Sequence, residues 1–103
     1  MQSDRPRARR YPFAASIEIT GVNSEEKLRA QTTDLSLFGC RAKTGELLPK
    51  GTIISVRIVH AGKTFTTQGK VAFAGQSSMG VTFTNIEPHQ QSVLEDWISQ
   101  LRG

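Results

Sequence analysis

Short alternations of apolar and polar residues run through most of the chain and give way to a helical period only near its end. From Ala14 to Thr20, Ile17 and Ile19 share one side while Ser16, Glu18 and Thr20 share the other, the two-residue period of a half-buried strand. Gly21-Val22-Asn23-Ser24 is turn chemistry. The stretch Lys27 to Leu35 alternates again, with Leu28, Ala30, Thr32 and Asp34 on one side. A carboxylate is out of place on a core face, so Asp34 is placed where this strand leaves the sheet. Gly39 to Ala42 predicts a short third strand. After the loop Leu47-Leu48-Pro49-Lys50-Gly51, the run Ile53 to Val59 is a strand with Ile54, Val56 and Ile58 on one face. Ala61-Gly62-Lys63 closes a hairpin into Thr64 to Ala74, where Gly69 predicts a bulge or sharp bend. Gly75 to Ser78 then turns the chain into Met79 to Thr84. Phe65, Phe73 and Phe83 lie in these strands and are assigned to the core.

The period then switches. Val93, Leu94, Trp97, Ile98 and Leu101 recur on one helical face. Pro88 suits a first helical turn, and Glu87, Glu95 and Asp96 place acid toward the start. The pattern predicts a helix over 87–102. Six short strands and one amphipathic helix make a mainly β fold: a six-stranded antiparallel β-barrel with a C-terminal α-helix packed against it. Residues 1–12 show no period and read as a flexible basic arm, leaving 13–103 as a single barrel domain, the size expected of one domain.

Charge adds to this picture. Of the 13 Lys and Arg, Arg5, Arg7, Arg9 and Arg10 fall within six positions. The remaining cations nearly balance the acids, so the basic character is assigned to the arm and not to the folded body. All four arm cations are Arg, whose planar fork suits phosphates and guanine edges. No apolar run reaches the roughly 18 residues of a membrane span, and the N-terminus lacks the apolar stretch of a signal peptide. The lone Cys40 reads as a small buried hydrophobe, and its lack of a partner suggests a cytoplasmic protein.

No catalytic set emerges. His60 and His89 are placed facing solvent, far apart and without Cys at metal-ligand spacing. There is no Gly-rich phosphate loop, and Ser36 has no nearby His to serve as a base. The expectation is a protein without catalytic residues, metal or cofactor. What remains is Asp34-Leu35-Ser36-Leu37-Phe38-Gly39 downstream of the Arg arm. Its carboxylate, hydroxyl and glycine can read the polar edge of a small ligand while guanidiniums neutralise its phosphates. Asp, Ser and Gly are also ordinary turn formers. The pairing with the arm, and the apolar Leu37 and Phe38 in the segment, turn the reading toward a phosphate-bearing, guanine-like ligand.

In these features the chain resembles the PilZ domain family, bacterial receptor modules for cyclic di-GMP. Arg5-Pro6-Arg7-Ala8-Arg9 is similar to that family's Arg-x-x-x-Arg, and Asp34 to Gly39 to its Asp/Asn-x-Ser-x-x-Gly. The resemblance extends to Arg10-Tyr11-Pro12-Phe13, Gly69-Lys70-Val71, Met79-Gly80-Val81-Thr82-Phe83 and Ile86-Glu87-Pro88 before a Trp-containing helix. Aligned on Tyr11-Pro12-Phe13, the second family arginine falls on Arg10 and the first on Pro6.

The resemblance implies a cyclic di-GMP site built from Arg5, Arg9, Arg10, Asp34, Ser36 and Gly39. The arginines would bind phosphates and stack on guanines, Asp34 would accept from a guanine N–H edge, and Ser36 would hydrogen-bond near base or phosphate. Gly39 would let backbone come close. It also implies an unidentified protein partner that receives the signal, with no membrane insertion and no DNA or RNA. Two other readings stay open: an adaptor of the same fold that binds protein without nucleotide, and a small barrel that binds single-stranded nucleic acid through its basic arm.

Overall fold

The computed structural model describes residues 9–103. Its strands are β1 (Tyr11–Pro12), β2 (Ser16–Gly21), β3 (Lys27–Leu35), β4 (Gly39–Lys43), β5 (Ile53–His60), β6 (Lys63–Ala74) and β7 (Ser78–Thr84), followed by helix α1 (Pro88–Arg102). The pairing runs β3-β2-β5-β6-β7-β4, all antiparallel, and β4 returns to β3. The six-stranded antiparallel barrel expected from the alternations is therefore closed. Closure leaves no open sheet edge around the ring.

β1 is the element with no sequence period behind it. It lies along β3 beyond the end of β2, pairing Tyr11 with Leu35 and Pro12 with Asp34. The chain crosses from β1 to β2 through residues 13–15, and β3 takes over their hydrogen bonding. Phe13 N–H donates to the Thr33 carbonyl, and the buried Thr32 hydroxyl accepts from Ala15 N–H at 2.9 Å while donating to the Phe13 carbonyl at 2.6 Å. The last residues of the expected arm are thus held on the barrel.

Two bulges set which way side chains point. On β3 the register shifts between Thr32 and Asp34, making Thr33 the extra residue. Thr32 and Leu35 both face the core and Asp34 is turned to the outer wall, which accounts for a carboxylate that the simple alternation put inside. On β6 the shift lies between Val71 and Phe73, so the bulge falls at Ala72 and not at Gly69 as expected. Gly69 is small for a different reason: a Cβ there would stand 2.9 Å from the Thr82 carbonyl oxygen. The Ala72 bulge also removes Phe73 from the core. Its ring lies outside, over Gly80, where an added Cβ would meet ring carbons at 2.1 Å.

Alternate residues of β2 to β7 fill the barrel, among them Ile17, Ile19, Leu35, Ile54, Ile58, Phe65 and Val81. Helix α1 adds Leu94, Trp97 and Ile98. Trp97 packs against Phe13, Phe65 and His60, joining the entry segment to the helix. His60 is consequently half-buried, with its ring 4.6 Å from that of Phe13, whereas His89 faces solvent as expected. The helix begins at Pro88 with no acid in its first turn. Glu87 is the extended N-cap residue, Glu95 accepts from Gln91, and Asp96 pairs with Lys63. The β5–β6 hairpin turns on Ala61 (φ 54°) and Gly62 (φ 78°), two positive-φ residues as the tightest hairpins require.

Candidate functional site

The β3–β4 connection is short because it is hydrogen-bonded to itself. Ser36 N–H donates to the Gly39 carbonyl, and the Ser36 hydroxyl accepts from Phe38 N–H at 3.1 Å and Gly39 N–H at 3.2 Å. Ser36 is buried, so its oxygen shapes the loop from within. Gly39 starts β4 directly against β7. A Cβ at this position would lie 2.0 Å from the Val81 carbonyl oxygen, so only glycine fits. The loop also sends its two apolar residues in opposite directions. Leu37 packs on the core, and Phe38 is 52% exposed at the tip.

Asp34 stands beside this loop on the outer wall, where Arg10 reaches it from the entry segment. The guanidinium Nη1 donates to Asp34 Oδ1 at 2.6 Å. The structure thus brings Arg10, Asp34, Ser36 and Gly39 to one end of the barrel, with only Arg10 and Asp34 presenting functional groups outward. Arg9 is exposed one residue before Arg10, and Arg5 lies outside the described residues. Arg41 was not singled out from the sequence. It sits opposite Asp34 in the β3–β4 register, with its guanidinium carbon 5.2 Å from the Phe73 ring centroid. The position two residues after Gly39, outward by parity, was the available signal.

Cys40 lies on the inner side of the same strand. Burial pushes its thiol up to about 12, with the neighbouring Asp34 carboxylate adding to the rise and Arg10 opposing it. The thiol is therefore neutral and unreactive at neutral pH. Among the described residues there is no cluster of metal-ligating side chains.

The electrostatics of the wall differ from the sequence expectation. The strands hold seven cations: Lys27 and Arg29 on β3, Arg41 and Lys43 on β4, Arg57 on β5, and Lys63 and Lys70 on β6. They hold only two acids, Glu18 and Asp34. Acids that balance this charge in the sequence, such as Glu25, Glu26, Glu46 and Glu95, lie in turns and on the helix. The folded body has a basic wall of its own, and Asp34 is the single carboxylate in β3, β4, β6 and β7.

A family model described as the PilZ domain matches residues 4–100. The chain belongs to the PilZ domain family. Solved structures agree at the level of fold. The PilZ domain of CeSA from a cellulose synthesizing bacterium superposes with a TM-score of 0.78 at 19% identity, over 93% of this chain and 100% of that one. The PilZ domain of YcgR from Escherichia coli, solved with c-di-GMP, gives 0.76 at 17% identity over 96% and 92%. The Bacillus subtilis inhibitor of motility MotI/DgrA gives 0.77 at 15% identity, over 99% of this chain and 53% of that one. No curated protein matches in sequence at a significant level. In this chain the Asp-x-Ser-x-x-Gly segment spans the end of β3, the β3–β4 connection and the start of β4. No helix among the described residues is long and apolar enough to cross a membrane.

Proposed function

We propose that this PilZ domain is a non-catalytic receptor for cyclic di-GMP. The observation that carries the reading is the Arg10–Asp34 contact at the end of a basic wall. A carboxylate and a guanidinium within one ligand's reach support the reading. Arg5, Arg9 and Arg10 bind phosphates and stack on guanines, each stacking contact contributing about 0.5–2 kcal/mol. Asp34 accepts from a guanine N–H edge. Ser36 acts by holding the loop, through which backbone groups meet the ligand, and Gly39 keeps that loop against the barrel. Arg41 adds a cation beside Asp34, and Phe38 offers an exposed apolar face.

Because Arg10 already occupies Asp34, ligand binding exchanges one partner of the carboxylate for another. Arg10 is then free to move to a phosphate, and the arm that precedes Tyr11 closes over the nucleotide, tethered at Tyr11–Pro12. The ordered arm forms a new surface for a protein partner, which fits a bacterial cytoplasmic signalling role without DNA, RNA or membrane insertion.

The reading is tested by titrating the double variant Arg9→Ala, Arg10→Ala with cyclic di-GMP. Nucleotide binding is expected to vanish while the melting temperature moves by only a few degrees, since an exposed ion pair contributes about 0–1 kcal/mol. Unchanged affinity would defeat the assignment. The adaptor reading draws support from the same contact, as an Asp34 already satisfied by Arg10 needs no ligand. It predicts capture of a protein partner that ignores the nucleotide and survives Asp34→Ala.

A further inference from the structure

The second carboxylate of the barrel wall, Glu18, is surrounded more heavily than Asp34. On the outer wall Glu18 of β2 stands in register between Arg29 of β3 and Arg57 of β5. Lys27 approaches as well. The three contacts are 3.6 Å to Arg57, 3.7 Å to Arg29 and 3.9 Å to Lys27. All three exceed hydrogen-bond length, so the donors of both guanidiniums are unspent by Glu18. The Arg29 side chain is 81% exposed, and Glu18 sits lower among the three cations. One carboxylate thus offsets one of three positive charges, and the other two face solvent.

This cluster borders a groove of about 590 Å³ on the β2, β5 and β6 wall. Its lining includes Arg57 and Lys27, the hydrogen-bonding side chains Ser55, Gln68 and Asn85, and Glu87 at the start of the helix. Arg29 lies five residues before Asp34 on β3, about 15 Å along the strand. The groove is therefore separate from the site described above.

We propose that this wall docks a carboxylate-rich segment of a partner protein. Within the groove Lys27 and Arg57 are matched by Glu18 and Glu87, and the excess that calls for an acidic occupant is the charge that Arg29 adds beside Glu18. Arg29 and Arg57, two strand spacings apart, suit carboxylates roughly 10 Å apart. The lining contains none of the aromatic side chains on which bases stack, which favours a carboxylate-rich peptide over nucleic acid. Glu18 acts as an internal competitor, holding the cations in place and weakening the docking. The proposal stands apart from the nucleotide reading and does not require it.

The test is fluorescence anisotropy of a labelled octaglutamate peptide with the full chain near physiological salt. An oligothymidylate of equal charge is run in parallel. Arg29→Ala with Arg57→Ala is expected to weaken peptide binding about tenfold, with the melting temperature unchanged. Glu18→Gln is expected to tighten it about two- to fivefold. The charge-matched pair Lys50→Ala, Arg102→Ala should leave it unaltered. Equal loss in the charge-matched pair, weaker binding in Glu18→Gln, or no peptide binding to the unaltered chain would each overturn the proposal. Tighter binding of the oligothymidylate that depends on Arg29 and Arg57 would overturn it in favour of nucleic acid.

Discussion

At Gly39 a missing side chain serves the barrel before it serves any ligand. The Val81 carbonyl would sit 2.0 Å from an added Cβ, and the atoms it would meet are all backbone of β7, which leaves little room to relax. Gly39→Ala is expected to cost about 1–3 kcal/mol, read as a fall in the midpoint of denaturant unfolding. Asp34→Ala should behave in the opposite way, with a stability cost below about 1 kcal/mol and a loss of cyclic di-GMP affinity of about tenfold or more. Cys40 gives a pH signature. Its folded-state thiol is raised to about 12 from an ordinary 9.0. The unfolded chain therefore releases a proton that the folded chain keeps, and stability is lost as pH rises from about 9 toward 12. Cys40→Ala should flatten that part of the stability profile, and native Cys40 should resist alkylation at pH 8. The sequence flagged Asp34 as misplaced on a core face, but the bulge at Thr33 that turns it outward leaves no residue signature. Arg41 escaped notice because its partner lies across a strand pair that only the fold creates.

Among the elements, the strands were legible because each alternates over several residues with one face buried, and a slip by one position would expose that whole face. The helix was legible through Trp97 and its apolar neighbours. β1 was not, since two residues carry no period and their place beside β3 depends on the Thr32 hydroxyl. Thr32→Val keeps the shape and removes that oxygen, stranding the Ala15 N–H and the Phe13 carbonyl. The expected cost is about 1–3 kcal/mol in denaturant unfolding, with faster amide exchange through residues 13–15 than in β5 or β6. Phe73 shows the limit of parity: the bulge at Ala72 reverses its side and places it under Arg41. Trp97 links Phe13 to α1, while its buried indole N–H has no acceptor among the described residues. The entry segment is thus joined to the helix by ring packing.

For the whole molecule, closure of the barrel sorts charge in a way that linear counting hides. Cations occupy the strands and acids the turns and helix, so a chain that appears balanced outside its arm presents a basic wall with two embedded carboxylates. One of these, Asp34, is engaged by Arg10 of the segment next to the Arg arm, and on this contact rests the proposal of nucleotide capture at that end of the barrel. The most direct test of that claim is calorimetric titration of the intact chain with cyclic di-GMP, with GTP as the control. The account predicts saturable heat with the cyclic dinucleotide alone. Absence of heat with cyclic di-GMP, or equal heat with GTP, would contradict it.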